Sequence, residues 1–151
     1  MTDPIRLVEI TDDAGAVLEP ALLAAAEGVH RQLRVAMDPY DEVMGSVFAG
    51  GGRMRVAVVD GAVAGVAVYR VYANTHSGVH MYVDDLVTDD AQRSRGVGAA
   101  LLRSLESTAR DVGCSELHLD SGTQRQRAHE FYFREGMKIT SFHFAKRLSS
   151  E

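Results

Sequence analysis

One segment constrains this chain more than any other: Gln92-Arg93-Ser94-Arg95-Gly96-Val97-Gly98-Ala99-Ala100-Leu101-Leu102. An apolar, strand-like run ending in Leu86-Val87 precedes it, and a long helical pattern follows. A glycine-rich, basic turn at the start of a helix is suited to holding phosphate. Its glycines let the backbone approach closely, and the first N–H groups of the helix have no intrahelical partners. Their partial positive charge adds to that of Arg93 and Arg95. The segment therefore points to a phosphate-bearing cofactor, and two familiar loops can be set aside. A Walker-type loop ends in Gly-Lys-Ser/Thr, whereas Gly98 is followed by Ala99-Ala100. A dinucleotide fingerprint needs a third glycine, where this chain has Leu101.

Around this segment the chain reads as alternating strands and helices. Ile5 to Ile10 alternates as a half-buried strand does. Ala14 to Val29 reads as a helix, with Pro20 starting its better-formed part. His30 to Met37 reads as a second helix stopped by Pro39. Gly50-Gly51-Gly52 is a break. Arg55–Val59 and Ala62–Tyr72 are β-rich runs joined by Asp60-Gly61, a strong hairpin signal. Val79–Thr88 is the next strand, and a helix then runs from about Val97 to Val112. Its Leu101, Leu102, Leu105 and Ala109 share one face, and Gly113 stops it. Glu116–Asp120 is a short strand, Arg127–Glu135 a helix ended by Gly136, and Ile139–Lys146 alternates as a last strand. The expectation is a single α/β domain spanning residues 1–151, a mixed, largely antiparallel sheet with flanking helices.

Composition excludes several classes. A length of 151 residues suits one domain with a proper core. The net charge of -5 argues against a broad nucleic-acid surface. Cys114 is the only cysteine, so no intrachain disulfide forms. The start at Met1-Thr2-Asp3-Pro4 reads as no signal peptide, and no apolar stretch approaches the roughly 20 residues of a membrane span. The expected location is cytoplasmic, with no membrane partner. No metal-ligand spacing occurs, so no metal is expected.

Arg93, Gly96 and Gly98 meet the pattern Arg/Gln-x-x-Gly-x-Gly/Ala. Ala128, Tyr132 and Gly136 meet Ala-x-x-x-Tyr-x-x-x-Gly. On these two motifs and the element order, the chain resembles the GCN5-related N-acetyltransferase (GNAT) family. The resemblance implies that strands four and five splay apart around acetyl-CoA, the co-substrate. Arg93, Ser94, Arg95, Gly96, Val97, Gly98 and Ala99 would then cradle the pyrophosphate. A backbone N–H among Leu86, Val87 and Thr88 would face the thioester carbonyl, and Tyr132 would protonate the leaving thiolate. Asp85 stands where members often carry an acid that takes the amine proton, directly or through water; Asp84, His80 and Glu9 are weaker candidates. Arg125 replaces an asparagine common in the family seven residues before the tyrosine, and its guanidinium can reach a phosphate.

From His118 to Leu148 the chain is similar to bacterial aminoalkylphosphonate N-acetyltransferases, in Ala128-His129, Phe131-Tyr132, Arg134-Glu135-Gly136 and Phe142-x-Phe144-x-Lys146-x-Leu148. The implied reaction is direct transfer of acetyl from acetyl-CoA to a primary amine of a small molecule. Alternatives are acetylation of a protein N-terminus or lysine, and a non-catalytic acyl-CoA-binding regulatory module. The acceptor pocket is expected between His30 and Gly52, with Tyr40 and Met44 as liners. Dimers are frequent in the family, so the resemblance points to a homodimer.

Overall fold

The computed structural model describes residues 4–150; the expectation for the start at residues 1–3 lies outside them. The chain divides into two compact units, residues 1–119 and 120–151. The first unit is built on a five-stranded sheet in the order β1-β2-β3-β4-β5. Its strands are β1 (Arg6–Glu9), β2 (Arg53–Val59), β3 (Ala62–Asn74), β4 (Gly78–Thr88) and β5 (Leu117–Leu119). Neighbours run antiparallel, except that β4 and β5 are parallel.

Local chemistry explains the turns. Asp60 and Gly61 both take positive φ, 54° and 76°, which a two-residue hairpin of this hand requires. At the β3–β4 turn, Asn74 Oδ1 accepts from the backbone N–H groups of His76 and Ser77 at 3.1 and 2.6 Å. Strand alternation then divides the core in two. Met54, Val56, Val58, Val66 and Val68 join Ile10, Tyr40, Met44 and Phe48 on one face. Ala57, Val59, Ala67, Tyr69, Met81 and Val83 meet helix α4 (Val97–Asp111) on the other. The stripe predicted for that helix is buried as Leu101, Leu102, Leu105 and Ala109, each leucine contributing about 1.5–3 kcal/mol.

Helices α1 (Pro20–Ala25), α2 (Glu27–His30) and α3 (Tyr40–Ala49) cover the first face. They depart from the sequence expectation in three places. The helix expected over Ala14–Val29 starts only at Pro20, because Gly15 sits at φ 85° and Thr11 bridges Val17. His30–Met37 continues for a single turn and then opens into a loop. Arg31 stabilises that loop by donating to the carbonyls of Val35 and Met37 and to Asp38. An unexpected helix, α3, follows Pro39, and its Tyr40 and Met44 are buried core residues rather than pocket liners.

The second unit holds helix α5 (Gln126–Arg134). It is closed by Gly136 at φ 86° and by Met137 N–H donating to Tyr132 O at 3.0 Å, the backbone closure in which a left-handed glycine lets the chain turn back on the last carbonyls. The strand expected over Ile139–Lys146 does not form: the segment joins no ladder among the described residues. Alternation alone does not make a strand without a neighbouring edge to pair with. Among the described residues no helix is long and apolar enough to cross a membrane.

Candidate active site

The first unit brings the C-terminal half of β4, the basic turn and the start of α4 into one continuous stretch of chain. A β-bulge opens this half: Val68 pairs with Asp85 and Tyr69 with Val83, so Asp84 is the extra residue. Beyond it, pairing between β4 and β5 stops at Val83 and Leu119, while β4 runs on to Thr88. From Asp84 to Thr88, β4 therefore has β3 on one edge and no strand on the other among the described residues.

Antiparallel alternation fixes which backbone groups face that open edge. Asp89 N–H donates to Ala64 O at 2.8 Å, and Val87 lies opposite Val66 two residues back. Residues 89, 87 and 85 thus direct their backbone groups to β3, and Leu86 and Thr88 direct theirs outward. Of the three backbone donors expected from the sequence, Leu86 and Thr88 remain open. The N–H of Val87 is spent inside the sheet.

The turn is held by its own side chains. Asp89 caps a single 3-10 turn, Asp90–Gln92, by accepting from Ala91 N–H. Gln32 clamps the same turn from the helical side, donating to Asp89 Oδ1 at 3.1 Å and accepting from Asp90 N–H at 2.9 Å. Arg93 pairs with Asp90 at 2.6 Å, and Arg95 donates to Gln92 at 2.7 Å. Ser94 and Gly96 both have positive φ, 67° and 79°, a curled backbone that turns successive N–H groups to one side. Gly96 is the N-cap of α4, with no side-chain cap. The helical ladder begins with Ala100 N–H donating to Gly96 O. The N–H groups of Val97, Gly98 and Ala99 therefore have no intrahelical partner.

Gly65 of β3 sets where this helix starts. A Cβ there would lie 2.7 Å from Val97 Cγ1, 2.8 Å from Leu101 Cδ1 and 3.3 Å from Val87 O. Only glycine lets α4 settle this close to β3 and β4.

Asp85 is tied to two partners. His30 Nε2 is 2.7 Å from Asp85 Oδ2, and Arg34 Nε donates to Asp85 Oδ1 at 2.8 Å. Tyr40 OH lies 2.9 Å from His30 Nδ1. Burial pushes the Asp85 carboxyl up, but hydrogen bonds from His30 and Arg34 and the Arg34 charge outweigh it. The group is held below the ordinary carboxylate range. Burial pushes the Tyr40 phenol well up. Asp84 belongs to another pair, accepting from both Nε and Nη2 of Arg70. Of the weaker candidates, Glu9 is engaged by Arg55 and Tyr69. His80 is buried, with Nδ1 3.2 Å from Gly78 O. His30, Gln32, Arg34 and Gly65 carried no motif in the sequence; their importance comes from contacts with residues far along the chain.

In the second unit, Tyr132 lies on α5 and Arg125 is that helix's N-cap residue. Burial raises the Tyr132 phenol above its ordinary value, and the Arg125 charge offsets part of the rise.

Known proteins share this architecture. Residues 23–137 match the Acetyltransferase (GNAT) family. The chain is 42% identical over 72 residues to "Uncharacterized N-acetyltransferase YhdJ" of Bacillus subtilis (strain 168), covering 47% of this chain and 51% of that protein. It is 32% identical over 95 residues to the aminoalkylphosphonate N-acetyltransferase of Salmonella typhimurium, covering 62% of each. The chain thus spans about half to three-fifths of the length of these two relatives. The fold is also that of aminoglycoside N-acetyltransferase AAC(6')-Iy, solved in complex with CoA, at a TM-score of 0.81 and 17% identity, covering 97% of this chain and 96% of that one.

Proposed function

The chain belongs to the GNAT acetyltransferase family, and from that premise we propose that it transfers the acetyl group of acetyl-CoA to a primary amine of a small molecule. The observation that carries this reading is the uncapped start of α4 beside the open edge of β4. The donor set suits the ligand: three backbone N–H groups at a helix N-terminus, with Arg93 and Arg95 close by in sequence, fit a pyrophosphate. Leu86 and Thr88 supply outward backbone groups along an extended strand, which fit the amide-bearing arm of CoA.

When bound, acetyl-CoA supplies an activated thioester, so the protein's tasks are few. Val97, Gly98 and Ala99 hold the pyrophosphate through their N–H groups. An outward N–H of Leu86 or Thr88 faces the oxygen on which charge develops; a backbone donor there is rigid and costs little reorganisation. Tyr132, kept neutral by burial, holds a proton for the leaving sulfur. We assign Asp85 a positioning part. Both its oxygens are occupied, and a carboxylate held below its ordinary range is a weak base. It fixes the segment around His30 and Arg34 against β4. The likeness to the Salmonella enzyme supports aminoalkylphosphonates as the first acceptors to try.

The test is calorimetric titration with acetyl-CoA, followed by a panel of small amines with free thiol as the readout. Saturable binding with amine-dependent thiol release is the expected result. Binding without release on any amine would favour an acyl-CoA-binding module, and absence of binding would overturn the assignment of the Arg93–Ala99 turn.

A further inference from the structure

The acids beside the open edge of β4 are engaged, and the donors beside them are only partly used. Arg70 Nε and Nη2 donate to Asp84 Oδ2 and Oδ1 at 2.7 and 2.8 Å, which occupies both carboxylate oxygens. Both oxygens of Asp85 are occupied by His30 and Arg34. Arg34 also donates through Nη2 to Asp84 O at 3.0 Å, so the two arginines converge on one residue. A guanidinium carries five N–H donors, and neither arginine uses all of them. Among the described residues, Nη1 of Arg34 and Nη1 of Arg70 have no hydrogen-bond partner. The two side chains are 52% and 37% exposed. Arg70 is also held in place, its guanidinium carbon 5.0 Å from the ring centroid of Tyr72 and 5.2 Å from that of Tyr82. These contacts fix the fork in which its remaining donors lie. Alternation along β3, with Val68 in one core and Tyr69 in the other, puts Arg70 on the sheet face where α2 also packs.

This cluster lies where an acceptor must approach. With a pyrophosphate at the start of α4 and the arm of CoA along Thr88 and Leu86, the next stretch of the open edge is Asp84-Asp85. Asp84 stands two residues, about 7 Å, from Leu86 along the strand. That is the reach of a short amine with a second group a few carbons from its nitrogen. An ammonium as that second group would find every carboxylate oxygen of Asp84 and Asp85 already holding a donor. An anionic group finds guanidinium N–H groups without a partner, and such charge-assisted bonds are the stronger kind. On the premise of acetyl transfer at this edge, we infer that Arg70 is a specificity-determining residue. It reads an anionic group on the acceptor, with Arg34 as the second donor. The acceptors are then short amines bearing a phosphonate or carboxylate, in preference to plain alkylamines and diamines.

The test uses the full chain and a set of short amines: aminopropylphosphonate, β-alanine, propylamine and diaminopropane. Calorimetry measures the binding of each with and without CoA, and thiol release from acetyl-CoA gives kcat/KM. The anion-bearing amines should be preferred over the other two by roughly tenfold or more. Arg70→Lys keeps the charge and loses the fork. It should lower that preference by roughly tenfold, through KM for the acceptor and not KM for acetyl-CoA. Equal use of all the amines, a preference for diaminopropane, or a lysine variant with the parent's preference would overturn the inference. So would aminopropylphosphonate that binds no more tightly than propylamine. The transfer reading fails separately, by failure of acetyl-CoA to bind. In that case weaker binding of aminopropylphosphonate to the lysine variant without CoA still supports the role of Arg70, and equal binding overturns it. Should Arg70→Lys fail to fold, Arg70→Gln with Asp84→Asn replaces the ion pair by neutral amides and takes its place. Should both fail, the preference of the unaltered chain decides.

Discussion

His30 Nε2 and Asp85 Oδ2 meet at 2.7 Å across 55 positions of sequence, one side chain fully buried and the other nearly so. With Arg34 on the second carboxylate oxygen, the contact fastens the segment after α2 to the bulged half of β4. Asp85→Asn keeps the shape and removes the charge, and it should destabilise the fold by about 1–3 kcal/mol at neutral pH. The sign with pH follows from the lowered carboxyl. A group whose folded pKa is depressed contributes fully above its unfolded value, about 4, and loses the contribution as pH falls through the folded value. Urea unfolding of both proteins from pH 7 into the acid range should show the gap between them closing below about pH 4. A gap that stays constant would refute the charged pairing.

At Gly96 charge and backbone strain can be separated. A Cβ there meets nothing within 4 Å, and φ is 79°. Asparagine and aspartate tolerate this region better than other residues, and both are good N-caps. Gly96→Asn therefore tests geometry, and Gly96→Asp adds a negative charge of the same shape. At the start of α4 that charge is favourable to the helix by about 0.3–1 kcal/mol. The aspartate variant should be at least as stable as the asparagine variant, yet bind acetyl-CoA roughly tenfold or more weakly, because its carboxylate competes for the N–H groups a pyrophosphate needs. Thermal melting and calorimetry on the pair give the comparison. Equal affinities would mean that no anion binds here.

What could be read from the sequence follows from the range of the interactions. The turn from Gln92 to Leu102 and the stripe Leu101, Leu102, Leu105 and Ala109 are local patterns, and the helix they announce runs from Val97 to Asp111. The Asp60-Gly61 hairpin is equally local. The region from His30 to Gly52 departs from its sequence pattern because its structure depends on distant partners. Arg31 stabilises a loop where periodicity suggests helix, and α3 packs toward a core whose other half lies on β2 and β3. Gln32, which clamps the turn at Asp89 and Asp90, is an ordinary residue in sequence. The tail fails in the opposite sense. Its alternation is plain from Ile139 onward, but a strand needs an edge to pair with, and the segment joins no ladder among the described residues.

Gly65 links packing to the start of α4, where the proposed pyrophosphate site lies. Gly65→Ala would put a methyl group 2.7 Å from Val97 Cγ1 and 2.8 Å from Leu101 Cδ1, so α4 must shift or its side chains must leave their rotamers. Overpacking of this kind costs about 1–3 kcal/mol. Because Val97 is the first residue of α4, the shift also moves the N–H groups at the helix start, and KM for acetyl-CoA should rise with stability falling. Val97→Ala in the same chain creates room and should recover part of both losses. A double-mutant cycle measures the coupling, expected at about 0.5–3 kcal/mol. Strict additivity would place the cause elsewhere.

Tyr132 offers the sharpest separation of chemistry from folding. Burial raises its phenol above the ordinary value, which is about 10. A group whose folded pKa is raised favours its protonated form in the native state, and the associated stability is complete below the unfolded value and lost as pH rises through the folded one. The proton needed by a general acid is therefore present throughout the neutral and mildly alkaline range, and ionisation of Tyr132 should not limit kcat below about pH 10. Tyr132→Phe removes the hydroxyl and leaves the ring in place to fill the same space. We expect stability within about 0.5 kcal/mol of the parent, with kcat lowered about a hundredfold and KM for acetyl-CoA nearly unchanged. Acetylation of a good acceptor should suffer most where thiolate departure limits the rate, so the loss should shrink with an acyl donor carrying a more acidic thiol. A Phe variant that turns over at the parent rate, with either donor, would remove Tyr132 from the chemistry.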